Sequence, residues 1–404
     1  MSHGFNSSTG QRMNEKLILS MLMRQQANTR IELSRMTGLT QATVSNIVTP
    51  LISIGLIDEY PIISNSVGRR SIGLKINDNR FHVIHLRIVS QQFVVGRFNL
   101  AGKELSRYTQ TYAADMSPEE VMILIKQNIQ KILDEDRGVP ILGIGVSLPS
   151  PYSNGRSFEQ FSVLKGWNDI DICAEIKRCF SLAVYAENDA NVGALSEWQQ
   201  DPSLSDDDTL LYLSLSEGTG CGIISGGRLF RGKQGFAGEV GHMTIDVHGP
   251  RCRCGRRGCL ELYTSTCSLR DIARARSKSV GTATLLHPAS STTEFFDAVR
   301  LQDPIALPIF EEAMEYLNYG IMNLIYLYNP SIIVFGDEMI MQQMGDMILR
   351  YQKEALYNRL PPELMEKLTL RVSSASANPA FLGAGSLVIN HMNEILYEMH
   401  ILGN

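Results

Sequence analysis

The stretch from Gly241 to Glu261, GHMTIDVHGPRCRCGRRGCLE, limits most severely what this chain can fold into. Cys252 and Cys254 flank a single residue, Gly255 and Gly258 permit tight turns that return Cys259 beside them, and His242 lies upstream as a fourth donor. Three thiolates and one imidazole suit a closed tetrahedral Zn2+ site. Such a site leaves no open position for water or substrate, so the metal is expected to be structural and to hold a loop in shape. The competing readings are ordinary reduced thiols and disulfides. The odd cysteine number, seven, and the absence of a secretory signal weigh against disulfides.

GEVGH at Gly238–His242 followed by CRCGRRGCLE resembles the zinc signature of the ROK family, which contains sugar kinases and sugar-responsive transcriptional repressors. The resemblance implies that Glu239, His242 and Glu261 face a bound sugar. It extends to LKGWNDID around Trp167 and to AENDANVGALSEW, where Asn188 and Asp189 would bind sugar hydroxyls. In a working kinase Asp189 would be the general base. NDAN alone is an ordinary polar turn capping a helix; its order and spacing relative to GEVGH and Glu261 give it weight. A pocket of Asp189, Glu239 and Glu261 with neutral Asn188 and His242 suits a polyhydroxylated, uncharged or weakly charged ligand and disfavours several phosphates, since buried like charges repel.

The nucleotide motifs of the family's kinases are only partly matched. An Asp-x-Gly-x-Thr loop is expected in the first strand hairpin, but the sequence has His85-Leu86-Arg87-Ile88-Val89. Ser216-Glu217-Gly218-Thr219-Gly220-Cys221-Gly222 resembles the second phosphate loop, although a tight turn between strands reads the same way. Asp337 stands where the kinases have a second glycine after PSIIVFG. Two departures in three motifs predict that the chain is not an enzyme. The alternative is an ATP-dependent hexose kinase carrying an extra N-terminal module.

Residues 1–80 have a different texture. They hold nine Lys or Arg against five Asp or Glu, in a chain of net charge −5, so the remaining residues carry about nine excess negative charges. A small basic module on an acidic body is expected where only the first part touches phosphates. After a polar tail over 1–10, a helix is predicted from Asn14. A second opens with a Thr29–Glu32 capping box and ends at Gly38, and a third starts at Thr40. Val44, Ile47 and Val48 would point inward and Gln41, Thr43, Ser45 and Asn46 outward, to reach base edges in a major groove. Pro50 predicts a kink or early end near Asn46–Thr49. Two strands, 56–60 and 71–76, around Gly68-Arg69-Arg70 complete a wing whose arginines suit a minor groove or flanking phosphates. This module resembles the DNA-binding domain that ROK repressors carry.

The expected fold is α/β: a winged helix-turn-helix over 1–80, then a two-lobed, actin-like (ribonuclease-H-like) body with its structural zinc. One lobe spans 81–200 and the second 201–385, with a C-terminal helix at about 386–404 packing back on the first. The expected function is a sugar-responsive transcriptional regulator, most simply a repressor of carbohydrate genes, binding a double-stranded DNA operator as a homodimer or homotetramer. A protein partner is a further candidate controller. With no run of eighteen apolar residues and no targeting segment, a cytoplasmic location without membrane insertion is expected.

Overall fold

A computed structural model describes residues 7–62, 71–136, 138–153, 155–278, 283–374 and 378–402. Arg69 and Arg70 lie outside these residues. Three helices come first: α1 (Ser7–Met23), α2 (Arg30–Thr37) and α3 (Gln41–Ser53). Helix α1 thus starts inside the expected tail, and its Glu15, beyond that tail, is held by Asn393 and Tyr397 from the far end of the chain. Thr29 caps α2 through Glu32 N–H, and Gly38 closes it with φ +71°. The reciprocal bond is shifted by one residue. Thr29 sits in a β-bridge with Gly73, and the Glu32 carboxylate takes the N–H of Asn28 instead.

Helix α3 corrects a second expectation, because it runs unbroken through Pro50. The donor that proline lacks would have met the Asn46 carbonyl, and both residues are on the exposed face, where water can satisfy that carbonyl. Val44, Ile47, Val48 and Leu51 fix the helix from the buried side. An antiparallel hairpin follows, β1 (Ile57–Ile62) with β2 (Ser71–Ile76), in register Ile57 to Ile76.

Two five-stranded sheets make up the rest. The first contains β3 (His82–Val89), β4 (Gln92–Asn99), β5 (Glu104–Thr111), β6 (Ile141–Leu148) and, after the small hairpin β7 (Tyr152–Ser153) and β8 (Arg156–Ser157), β9 (Ala183–Asn188). Helices α4 (Pro118–Glu135) and α5 (Ile172–Phe180) cover one face. Helix α6 (Asp189–Gln200) leads to the second sheet: β10 (Thr209–Leu215), β11 (Thr219–Ser225), β12 (Arg228–Leu229), β13 (Ile332–Gly336) and β14 (Thr369–Val372). Helices α7 (Glu261–Thr264), α8 (Thr266–Ser277), α9 (Thr292–Arg300), α10 (Ala306–Tyr328), α11 (Glu338–Met341), α12 (Gly345–Arg359) and α13 (Pro362–Met365) accompany it. The strand orders, β5-β4-β3-β6-β9 and β12-β11-β10-β13-β14, are one topology used twice, with three antiparallel strands followed by two parallel ones.

The predicted single C-terminal helix is instead a series of short ones: α14 (Pro379–Leu382), α15 (Ala384–Ile389) and α16 (Met392–Glu398). The break falls at Asn390-His391, where the His391 ring stacks on Tyr185 of β9 at 4.3 Å. They do pack back on the first sheet. One apolar cluster runs from Ile18, Val44 and Leu51 through Phe81 and Phe98 to Val388, Met392 and Leu396, so the N-terminal helices, first sheet and C-terminus share a core. Among the described residues no helix is long and apolar enough to cross a membrane.

Candidate functional site

The predicted metal ligands converge. One donor atom each from His242, Cys252, Cys254 and Cys259 lies within 4.8 Å of all the others. Cys252 Sγ is 3.6 Å from His242 Nδ1, and Cys254 Sγ is 3.5 Å from Cys259 Sγ. Bond lengths typical of tetrahedral Zn2+ place an S/N ligand pair about 3.6 Å apart and an S/S pair about 3.8 Å apart. The cluster therefore has ligand geometry consistent with a structural zinc site, and the sulfurs are too far apart for a disulfide. Gly258 makes the loop possible: its φ is +60°, and a Cβ there would lie 1.6 Å from the Asp246 carbonyl. Burial raises the Cys252 thiol above its ordinary value and that of Cys259 to about 11, so loading a cation must expel protons.

Besides His242, the same loop presents two more of the predicted sugar ligands. Glu261 opens α7 and is buried; its carboxylate accepts from Arg253 Nη2 at 3.0 Å and lies 3.4 Å from His242 Nδ1. Arg253, sitting between two metal ligands, thereby orients Glu261. Only its place inside the cysteine run hinted at that role. Glu239 begins the turn Val240–His242. Burial, with Asp189 and Glu261 nearby, pushes its carboxyl up to about 8 against the pull of Arg253.

Asn188 and Asp189 stand where β9 becomes α6. Asn188 Oδ1 accepts from the N–H groups of Ala190 and Asn191 at 3.0 and 3.4 Å, so it is a helix cap as well as a candidate ligand. Burial and the neighbouring Asp337 push Asp189 up to about 7, with Arg87 opposing. Asp189, Glu239, His242 and Glu261 are thus brought into one electrostatic neighbourhood. A cavity of about 710 Å3 opens beside Glu261, lined also by Gln160, Lys165, Glu217 and Arg253. Trp167 is buried in the apolar cluster of the first sheet.

The two departures from the kinase nucleotide motifs meet each other. Arg87 on β3 reaches Asp337, after β13 of the other sheet, with Nη2 3.4 Å from Oδ1. Asp337 is fully buried and also accepts from Ser214 Oγ and Asn378 Nδ2, each at 2.6 Å. Its backbone has φ +68° and ψ −147°, a region nearly reserved for glycine that costs another residue about 1–3 kcal/mol. The glycine-type conformation is kept while the side chain is spent on an ion pair. Ser216-Glu217-Gly218 forms the tight turn from β10 to β11, and Glu217 takes the backbone N–H of Ser90 in the β3–β4 turn. The two candidate phosphate loops therefore face each other, with Arg87 in their vicinity.

On α3, Gln41 and Asn46 are exposed and Thr43 and Ser45 half-buried. Thr40 caps the helix, and its hydroxyl lies 2.9 Å from that of Thr43.

The sequence model of the ROK family matches residues 88–391. The chain belongs to the ROK family. Among curated ROK relatives, the xylose repressor of Bacillus spizizenii is 30% identical over 389 residues, covering 95% of this chain and 97% of that protein. A glucokinase of Thermotoga maritima is 26% identical over 302 residues, covering 73% of this chain and 93% of its own. A crystal structure of a ROK transcriptional regulator, described as a homologue of the Escherichia coli MLC protein, superposes with a TM-score of 0.80 at 24% identity, over 97% of this chain and 98% of the other.

Proposed function

We propose that this ROK protein is a sugar-responsive DNA-binding regulator, most simply a repressor of carbohydrate uptake or catabolism genes, and that it has no phosphotransferase activity. The observation that carries the reading is the Arg87–Asp337 pair, which spends on each other two residues at nucleotide-motif positions of the kinases, one in the first phosphate loop and one in the turn near the adenine. His85 falls at the carboxylate position of the first loop and Arg87 at its glycine, so the carboxylate that would handle Mg2+ is missing, and Asp337 presents a buried anion where a nucleotide would bring more negative charge. The similarity to the xylose repressor extends across nearly the whole chain, whereas that to the glucokinase stops at 73% of it.

In this reading α1–α3 with the β1–β2 hairpin form a winged helix-turn-helix, with Gln41, Thr43, Ser45 and Asn46 toward base edges, and Arg69 and Arg70 are the candidate contacts to a minor groove or flanking phosphates. The repeated sheets are the two lobes of an actin-like body. The ligand is a neutral monosaccharide held by Asn188, Asp189, Glu239, His242 and Glu261, and the xylose-repressor relatives make D-xylose the first candidate. With Nδ1 of His242 facing the metal cluster, Nε2 is left to donate to a sugar hydroxyl, the metal fixing its tautomer. Operator binding by a dimer, with the sugar shifting lobe geometry, completes the mechanism.

The kinase reading has the retained Asp189 and the glucokinase similarity in its favour. Thermal shift with D-xylose, D-glucose and N-acetyl-D-glucosamine, beside ATP turnover with the same sugars, separates the two. Stabilisation by a sugar without nucleotide turnover is expected; sugar phosphate accumulating over many turnovers would overturn the reading.

A further inference from the structure

Helix α1 is fastened to the body at two points that belong to different parts of it. At its middle, buried Glu15 accepts from Asn393 Nδ2 at 3.0 Å and Tyr397 OH at 2.9 Å, both on α16, which shares the apolar core of the first sheet. Just past its C-terminus, Arg24 is only 6% exposed. Its Nη2 donates to the carbonyls of Asp201 at 3.1 Å and Leu204 at 2.7 Å, and its guanidinium lies over the Trp198 ring, 4.4 Å from the centroid. Gln26 adds a bond to the Leu204 carbonyl. Trp198 is on α6, and residues 201–204 are the chain immediately after it.

Helix α6 packs on the second sheet and also on α14 and α15, where Gln199 accepts from Ser386 Oγ and donates to Asn390 Oδ1. Gly193 lies so close to Tyr212 of β10 that a Cβ there would be 2.2 Å from the ring. Glu197 accepts from Arg371 Nη1 at 2.6 Å and from the Ser373 hydroxyl, on β14 and just beyond it. The helix is about 18 Å long at 1.5 Å per residue. Its first residues are the sugar candidates Asn188 and Asp189, and its last turn is the socket for Arg24. A shift between the sheets would therefore reach α1 at Arg24 while Glu15 stays with the first sheet. Ile18, Leu19 and Leu22 of α1 pack in one cluster with Val44 and Val48 of α3, a cluster that also holds Val83 and Phe98 of the first sheet, so a displacement of α1 at Arg24 is felt directly by α3.

We propose that Arg24 is a positioning residue, through which sugar occupancy at the Asn188–Asp189 end of α6 sets the placement of α3. This rests on the functional reading above and adds the route by which the two sites are coupled. Arg24 touches neither ligand. Its removal should leave both affinities in place and abolish their dependence on each other.

The test uses the full-length protein, DNA from upstream of its own coding sequence, and D-xylose, D-glucose and N-acetyl-D-glucosamine as ligands. The chain has two tryptophans, so the emission change lost in Trp198→Phe reports the socket directly, without DNA. In the wild type, an active sugar should change Trp198 emission and weaken operator binding about fivefold or more, the lower range of allosteric couplings. Arg24→Met should bind the same sugar, and the operator without sugar, within about threefold of wild type, while the sugar-dependent ratio falls below about twofold. Arg24→Lys keeps the charge but not the planar guanidinium that lies over the Trp198 ring. It is read in the same way should the Met variant fold poorly. A full wild-type ratio in either variant, or a sugar effect on the operator with Trp198 silent, overturns the proposal and leaves the regulator reading standing. If no sugar moves either signal in the wild type, the regulator reading falls and the proposal with it.

Discussion

Asp189→Asn should weaken sugar binding severely and yet leave the protein more stable than wild type at pH 8. The folded carboxyl is pushed up to about 7 by burial and by Asp337, against an ordinary value of 3.8. For an acid displaced upward, its contribution to stability is fully present below pH 4, where the unfolded chain is protonated too. It is lost as pH rises through 7. Each unit of displacement is worth about 1.4 kcal/mol, and part of it is shared with Asp337 and Arg87. A gain on the order of 2 kcal/mol at pH 8, shrinking to nothing near pH 4, follows for the neutral amide. Urea unfolding of both proteins at pH 4.5, 6 and 8 checks this; a gain independent of pH would contradict it. Sugar affinity should fall about 30-fold or more, since a hydrogen bond to a buried charged group is worth roughly 2–3 kcal/mol. Such a combination marks a residue kept for its ligand at the expense of the fold.

Cys254→Ser should reduce bound zinc from one per chain to below about a tenth, because structural sites of this type need all four ligands. The consequence should reach the sugar. Glu239, His242 and Glu261 are held by the loop that the metal closes, and Arg253, which grips Glu261 at 3.0 Å, lies between two of the ligands. Operator binding without sugar should persist within about threefold, the helices of the N-terminus sharing their core with the first sheet and not with this loop. Metal analysis, sugar titration and operator titration on one preparation separate these effects. A metal-free variant with wild-type sugar affinity would show that the loop keeps its shape unaided.

What the sequence could and could not reveal follows from the range of each interaction. The bounds of helix α5, Ile172–Phe180, are set locally, by its cap Asp171 and its apolar spacing. The metal cluster was legible because three of its four ligands lie within eight residues and glycines supply the turns. Local rules misjudged Pro50, whose cost depends on which face of α3 meets water, and the C-terminal helices, whose break falls where His391 stacks on Tyr185 of the first sheet. Arg87 and Asp337 were visible as separate departures 250 residues apart, but their pairing needs the two sheets in place. Arg24 carried no signal at all, since its partners are mainly backbone carbonyls.

The measurement that bears most directly on the account is fluorescence anisotropy of labelled upstream DNA, titrated with the protein alone and with saturating D-xylose, D-glucose or N-acetyl-D-glucosamine. The account predicts tight binding without sugar and an affinity lowered about fivefold or more by one of them. The same affinity under all four conditions would contradict it.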